Sequence, residues 1–315
     1  MYQAIFFDVD DTLLNFKLCS RAAFSKTFEH HGLDQVDYAF GHFCEIDKAL
    51  WAKQRQNLLS VRDVIDTRFQ ELFTRLNTDI NHLHVRDSFQ AHLAREYSLE
   101  PDAVETIEYL NPFYKLYVAS NGMSAMQTSR LKLSKLFPFF SGLYISDDIS
   151  FEKPDRRFFD ETLRRSGLAA HEILFVGDSL QADIAGASRC GMATCWYNPG
   201  NEKNGSRTEP NFTIGHLMQL TEILRPRMNC SGKVYQTFNG RKTRHPDKRY
   251  GHDGFISYRT VTGCEMTDTY RYHPDFQDII PAFRPGYRLL DCYTSRKHVS
   301  PNTMVRNLWQ KSNKR

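Results

Sequence analysis

The strongest constraint on the fold is an alternation of short apolar segments with helical patterns along the first 225 residues. The apolar segments, which we interpret as strands, occupy residues 2–7, 115–119, 142–145, 173–176, 193–196 and, more weakly, 211–214. Helical patterns such as 157–165 and 182–190 lie between them. This alternation predicts an α/β fold, in which helices cover both faces of a doubly wound, mostly parallel sheet.

One long segment interrupts the alternation. Between residues 15 and 97 there is no convincing strand, and apolar residues such as Val64, Phe69 and Leu72 recur at the spacing of amphipathic helices. We therefore predict a helical insertion after the first strand. Ligands of such sheets bind beyond the carboxyl ends of the strands, so the insertion is expected to act as a cap over that edge.

Charge and composition change near residue 225. Residues 226–315 contain 17 Lys and Arg against 7 Asp and Glu, whereas residues 1–225 contain 24 against 30. The predicted domains are an α/β core (1–14 and 98–225), a helical cap (15–97) and a basic C-terminal extension (226–315) of unknown fold that we expect to be poorly ordered.

The cysteines and the hydropathy indicate the compartment. Seven cysteines are scattered and never form a CxxC pair, which favours free thiols in a reducing environment and disfavours a zinc site. No apolar run approaches the roughly 18 residues of a membrane span, and the N-terminus lacks the pattern of a signal peptide. We expect a cytoplasmic protein with no membrane partner.

The first strand ends in an acidic cluster that includes Asp8 and Asp10. Residues two apart at a strand end can face the same centre. A carboxylate nucleophile beside a second carboxyl group that transfers protons is the arrangement for making and breaking an aspartyl-phosphate. The alternative is a charged loop that caps a helix.

Polar residues follow the second and third strands as well. Ser120 and Asn121, before Gly122, offer a hydroxyl and backbone N–H groups to an anion, although this tripeptide by itself is far more often an ordinary Asn-Gly turn. Lys153 precedes Pro154, and its ammonium group could neutralise Asp8 and a phosphate oxygen. The alternative for Lys153 is a solvated loop.

The fourth strand ends at Gly177-Asp178, and Asp183 follows five residues later. Carboxylates from separate strands, together with water and substrate phosphate, are the oxygen ligands by which proteins hold Mg²⁺. Asp183 is a candidate second partner for Lys153 or for metal-bound water. The alternative is a strand-to-helix cap.

The set DVDDT, SNG, EKP and GDSLQAD, in that order, resembles the haloacid dehalogenase superfamily of aspartate-nucleophile phosphatases over residues 1 to about 224. The resemblance implies a Rossmann-like core, with Asp8 as nucleophile and Asp10 as general acid/base. It implies Mg²⁺ held by the Asp8 carboxylate, the Asp10 carbonyl and Asp178. Ser120, Asn121 and Lys153 are then expected to hold the phosphoryl group, supported by Asp183.

Within this superfamily, acidic residues at both Asp10 and Asp178 favour a phosphatase over a dehalogenase. Many members have glycine where this chain has Asp11, and DDTLLNF, with the pattern around Trp51 and Arg68, resembles the pyrimidine 5′-nucleotidase branch. The resemblance thus implies a pyrimidine nucleoside monophosphate as the substrate; a phosphatase or mutase acting on a small sugar phosphate is the alternative. We interpret Trp51 as a core residue and Arg68 as a surface residue in preference to substrate contacts.

The C-terminal extension suggests a different class of function. Basic clusters at 241–244, 248–249 and 296–297 are interleaved with aromatic residues such as Tyr250 and Phe255, a composition that suits single-stranded nucleic acid. Nucleic-acid binding through this tail is therefore an alternative function. An extension without such a role is favoured, because the predicted phosphatase is complete without it.

Overall fold

The computed structural model describes residues 2–224 and the backbone of two short strands beyond them. The central sheet consists of β1 (Ala4–Phe7), β2 (Lys115–Ser120), β3 (Phe140–Ile145), β4 (Ile173–Gly177), β5 (Ala193–Tyr197) and β6 (Phe212–Ile214). All five strand pairs are parallel, in the order β3-β2-β1-β4-β5-β6. The predicted doubly wound parallel sheet is confirmed, and its strand order reverses between β1 and β4, where such sheets bind ligands.

The central strands are apolar throughout because both of their faces are covered. Every residue of β1 is buried. Ala4 and Phe6 contribute to the core on one face of the sheet, and Ile5 and Phe7 contribute to the core on the other. This explains why the strands appear in the sequence as continuous apolar runs and not as alternating patterns.

Helices account for most of the remaining described residues. They are α1 (Phe16–His30), α2 (Val36–Arg55), α3 (Val61–Arg75), α4 (His82–Leu93), α5 (Ala103–Leu110), α6 (Ser124–Leu133), α7 (Ser146–Ile149), α8 (Arg156–Ser166), α9 (Gly186–Arg189) and α10 (Gln219–Ile223). Helices α1 to α4 lie between β1 and β2 and pack around their own aromatic core, which includes Phe24, Phe43, Phe69 and Phe89.

The single helix expected at 182–190 is divided. A π-helix covers Leu180–Ala185, and α9 follows it directly. Ser179 caps the start of the π-helix, and its side chain accepts a hydrogen bond from the backbone N–H of Ala182 at 3.1 Å. The wider turn contains Asp183, whose carboxylate is drawn towards the sheet by the contacts described below. Such single-turn π-segments often lie at functional sites.

Two adjacent chain segments join the helical insertion to the sheet. One follows β1 and the other follows α4. They pair through hydrogen bonds from the Asn15 N–H to the Ser98 carbonyl (2.8 Å) and from the Glu100 N–H to the Leu13 carbonyl (2.9 Å). Both connections therefore lie beside the carboxyl end of β1.

None of the helices in residues 2–224 is long and apolar enough to cross a membrane. The predicted C-terminal extension lies outside the described residues, apart from the antiparallel strands β7 (Val261–Thr262) and β8 (Glu265–Met266).

Candidate active site

The predicted site residues converge because the central strands end at the same level. Phe7 of β1 pairs with Val118 of β2 and with Val176 of β4. Asp8 follows β1 directly, and its backbone N–H donates to the Val176 carbonyl at 2.9 Å. Ser120 closes β2 and Asp178 follows β4, so all three polar residues lie along one edge of the sheet.

Lys153 is the cation at the centre of this edge. Its side chain is only 2% exposed, and Nζ donates to Asp8 Oδ1 (2.6 Å), Asp183 Oδ1 (2.7 Å) and the Ala119 carbonyl (2.8 Å). Burial by itself lowers the pKa of Lys153, but the Asp183 and Asp8 carboxylates outweigh burial, so the pKa is raised and the ammonium group stays charged. It supplies part of the positive charge that the acidic cluster requires.

Asn121 fixes the backbone of Lys153. The Asn121 side chain donates through Nδ2 to the Lys153 carbonyl and accepts the Lys153 N–H at Oδ1, both at 2.8 Å. A side-chain amide that pairs with one backbone unit in both directions holds it in a single orientation. The Asn-Gly segment is therefore part of the site's framework and positions the lysine.

Three carboxylates lie together beside Lys153. Oxygens of Asp8, Asp178 and Asp183 are all within 4.8 Å of one another. Burial raises the pKa of Asp8 to about 7 even though Lys153 opposes the shift, and burial together with Asp183 and Asp8 raises the pKa of Asp178 well above its usual range. One ammonium group does not balance three carboxylates. The hard oxygen donors and the surplus of negative charge fit a divalent cation such as Mg²⁺.

Gly177 allows Asp183 to reach this cluster. A Cβ atom at Gly177 would lie 2.5 Å from Cγ and 2.7 Å from Cβ of Asp183, which is closer than atoms in contact approach. Asp183 is 1% exposed, and its Oδ2 accepts the Ser179 N–H at 3.0 Å. The glycine in the GDS sequence is thus required by packing.

Asp10 also faces the site but has different partners. Arg130 donates through Nη1 to Asp10 Oδ1 at 2.6 Å, and Gln127 donates through Nε2 to Asp10 Oδ2 at 2.8 Å. Gln127 Nε2 also lies 3.3 Å from the hydroxyl oxygen of Ser120. The sequence reasoning did not identify Gln127 and Arg130. Their signal was a polar pair three residues apart in the helix that directly follows Ser120-Asn121-Gly122.

Asp11, the residue after Asp10, has a left-handed backbone with φ of 58°. This conformation suits glycine and is tolerated by aspartate. The Asp11 carboxylate accepts the backbone N–H of Phe16, the first residue of α1, at 2.9 Å. The side chain therefore offsets the conformational cost by capping the helix.

The helical insertion contacts the core beside Lys153. Glu152 accepts hydrogen bonds from the Val61 N–H at 2.9 Å and from Gln54 Nε2 at 3.0 Å. Gln54 also donates to the Lys153 carbonyl at 3.0 Å. Since Val61 is the first residue of α3, the carboxylate lies at the positive end of that helix. Because Glu152 directly precedes Lys153 in the chain, these contacts hold the insertion next to the buried lysine.

The expected surface position of Arg68 is wrong. Arg68 is 3% exposed because it pairs with Asp47 at 3.1 Å and packs against the rings of Phe43 (5.5 Å) and Phe89 (4.7 Å). Trp51 is partly buried against the same aromatic core, in agreement with the interpretation as a core residue.

A family model for haloacid dehalogenase-like hydrolases matches residues 2–191. The chain is 29% identical to the pyrimidine 5′-nucleotidase PynA of Streptococcus pneumoniae, over 71% of this chain and 95% of PynA. It is 28% identical to the pyrimidine 5′-nucleotidase YjjG of Escherichia coli, over 70% of this chain and 96% of YjjG. The magnesium-bound crystal structure of the HAD-hydrolase YfnB from Bacillus subtilis, described as revealing interdomain movement, superposes with a TM-score of 0.68 at 31% identity and covers 71% of this chain and 99% of YfnB.

Proposed function

Since the chain belongs to the haloacid dehalogenase-like hydrolase family, we propose that it is a Mg²⁺-dependent phosphatase that acts on pyrimidine nucleoside 5′-monophosphates through an aspartyl-phosphate. The predicted class, a phosphoric monoester hydrolase, is confirmed by the family. The observation that carries the proposal is the buried cluster in which Lys153 contacts Asp8 and Asp183 beside Asp178.

The donor set fits Mg²⁺. The Asp8 and Asp178 carboxylates and the backbone carbonyl of Asp10 are the proposed ligands, since oxygen donors from separate strand ends suit this ion. The bound metal supplies positive charge that offsets the phosphoryl oxygens and the nucleophile. Asp183 accepts hydrogen bonds from Lys153 and from the Ser179 N–H. We therefore propose that it orients Lys153 and does not bind the metal directly.

The protein groups can carry both halves of the reaction. An oxygen of Asp8 forms a bond to phosphorus while the bond from phosphorus to the nucleoside oxygen breaks, and Asp10 gives its proton to that departing oxygen. Asp10 then takes a proton from water, whose oxygen attacks phosphorus and releases inorganic phosphate and Asp8. Lys153 and Ser120 stabilise the charge on the phosphoryl oxygens.

The substrate class rests on the relatives and on the helical insertion. PynA and YjjG are named as pyrimidine 5′-nucleotidases. We propose that residues 15–97 form a cap that selects the nucleoside, over a core formed by 1–14 and 98–225, and that 226–315 is a separate basic extension. The contacts of Glu152 with the start of α3 hold this insertion against the edge that carries Lys153.

The test is phosphate release from a panel of pyrimidine and purine nucleotides and sugar phosphates, with Mg²⁺ and with EDTA. Asp8→Asn should abolish turnover while circular dichroism stays unchanged, because an amide is a poor nucleophile and a poor metal ligand. Asp160→Asn, on the exposed side of α8, is the matched control. Full activity in EDTA or in Asp8→Asn would refute the chemistry. Sugar phosphates that exceed UMP and dTMP about tenfold in kcat/KM would refute the nucleotidase assignment only.

A further inference from the structure

We propose that Gln127 and Arg130 are positioning residues for Asp10, and that they hold its carboxylate where it can pass a proton to the leaving group. The inference rests on the proposed function, because Asp10 transfers protons in that reaction. It is carried by the contacts of α6 with the end of β1, which bring together residues about 120 positions apart in the chain.

The two residues present a matched pair of donors. They are three positions apart on α6 and therefore lie on the same face of the helix. Arg130 Nη1 contacts one oxygen of Asp10 at 2.6 Å, and Gln127 Nε2 contacts the other at 2.8 Å. Each Asp10 oxygen accepts one of these bonds and therefore keeps a lone pair for a proton of substrate or water, and the Asp10 side chain is 28% exposed.

The donors are themselves fixed. Arg130 is fully buried, and its Nε donates to the Glu96 carbonyl at 3.0 Å. Its Nη1 also donates to Gln127 Oε1 at 3.1 Å, so the amide of Gln127 must turn its Nε2 towards Asp10. The guanidinium of Arg130 is held at Nε and Nη1, and the amide of Gln127 is held at Oε1 and Nε2. Together these two fixed donors restrict the Asp10 carboxylate to one orientation.

A structural role alone does not account for this arrangement well. A fully buried arginine is costly unless its charge is compensated, and within residues 2–224 the carboxylate that it contacts is Asp10. Arg130 could fasten α6 to the segment after α4 through Glu96 without any carboxylate. The addition of Gln127, which also approaches the Ser120 hydroxyl at 3.3 Å, connects the pair to two residues of the proposed reaction.

A side chain can transfer a proton only to an atom within hydrogen-bond distance. Displacing the acid should therefore slow only reactions whose leaving group must be protonated as it departs. A nucleoside 5′-oxygen departs as a poor leaving group, whereas p-nitrophenolate departs readily as an anion. Loss of Asp10 positioning should therefore slow hydrolysis of UMP far more than that of p-nitrophenyl phosphate. A general loss of structure would slow both.

The experiment compares kcat/KM of the full-length protein with Mg²⁺ on these two substrates. This constant covers the steps up to departure of the leaving group, whichever later step limits kcat. In Gln127→Leu we expect kcat/KM to fall about tenfold or more on UMP and to change less than about threefold on p-nitrophenyl phosphate. Arg130→Met should show the same divergence, and Arg130→Lys a smaller one, since lysine keeps the charge without the second donor for Glu96.

Gln90→Leu is the matched control, because the Gln90 amide has no hydrogen-bond partner within the described part of the chain; both constants should stay at the wild-type value. Equal losses on the two substrates in Gln127→Leu, or no loss on UMP, would overturn the inference and leave the phosphatase assignment standing. A wild-type protein that hydrolyses neither substrate would refute the proposed function, and with it the positioning role of Gln127 and Arg130.

Discussion

Replacing Gly177 with alanine tests whether the close approach of Asp183 to the end of β4 maintains the site. The backbone of Gly177 is not left-handed, so the effect of the new methyl group is steric. The methyl group would lie 2.5 Å from Cγ and 2.7 Å from Cβ of Asp183, with Oδ2 closer still. Because the Cβ itself is too close, rotation of the Asp183 side chain cannot relieve the overlap. Either β4 or the π-helix must shift.

The magnitude follows from the two consequences of that shift. Overpacking of a well-packed interior costs about 1–3 kcal/mol. Displacement of Asp183 also weakens its bond to Lys153 Nζ at 2.7 Å, and a hydrogen bond to a charged group contributes about 1.5–3 kcal/mol. We therefore expect the free energy of unfolding to fall by about 2.5–6 kcal/mol, a large part of the stability of a typical domain.

Urea denaturation followed by circular dichroism measures this change, with kcat/KM as a second readout. Gly41→Ala is the matched control. Gly41 lies inside α2, and no atom beyond the local helix backbone lies within 4 Å of its added methyl group, so alanine should stabilise the protein by about 0.5–1 kcal/mol. A loss below about 1 kcal/mol in Gly177→Ala, comparable to a minor repacking, would refute the steric reasoning.

Four further outcomes are expected. Arg68→Met should lower the free energy of unfolding by about 3–5 kcal/mol in urea denaturation, because it leaves Asp47 buried without its cation. Adding Asp47→Leu should recover most of that loss; strictly additive effects of the two substitutions would contradict the pairing. Glu152→Gln should cost about 0.5–2 kcal/mol in the same assay by removing charge from the start of α3, and an unchanged midpoint would contradict that contact. In EDTA, the stability of Asp8→Asn relative to wild type should grow as the pH rises from about 4 to about 7. Burial raises the pKa of Asp8, so the folded wild type binds more protons than the unfolded chain in this window and loses stability as they leave; a constant difference would contradict the shift. A chain ending at Leu224 should fold and keep its kcat/KM, and an insoluble or inactive product would place the tail within the fold.

The edge of the sheet was predictable because its signals are local. An apolar run that ends in a polar residue indicates a strand, and the polar residue marks the carboxyl end of that strand. In a parallel sheet the carboxyl ends of neighbouring strands lie at the same edge. Asp8, Ser120 and Asp178 could therefore be assigned to one site before any contact was known. The division of residues 180–189 into a π-helix and α9 was not predicted: the π-helix contains Asp183, whose contact with Lys153, 30 positions away in the chain, has no local signal in the sequence.

The residues that the sequence analysis missed or misplaced are defined by distant partners. In the sequence, Arg68 looks like an exposed residue of a helix. Its burial depends on its contact with Asp47, which lies 21 residues away on another helix. Arg130 is likewise an unremarkable basic residue of α6, and its role depends on Asp10, 120 positions earlier. A buried arginine carries no local pattern of its own, since burial and charge compensation are properties of the packed chain.

The contacts that fasten the helical insertion to the core also hold the neighbours of Lys153 and Asp10, two groups that we propose take part in the reaction. Glu152 receives bonds from Val61 and Gln54 on the insertion and directly precedes Lys153 in the chain. On the other side, the carbonyl of Glu96 holds Arg130, which holds Asp10. A displacement of the insertion would therefore act on both Lys153 and Asp10, the proposed proton-transfer group. Because polar bonds of this kind contribute only about 0.5–3 kcal/mol each, a shift of the insertion and a change in the alignment of these two groups can be linked at small energetic cost.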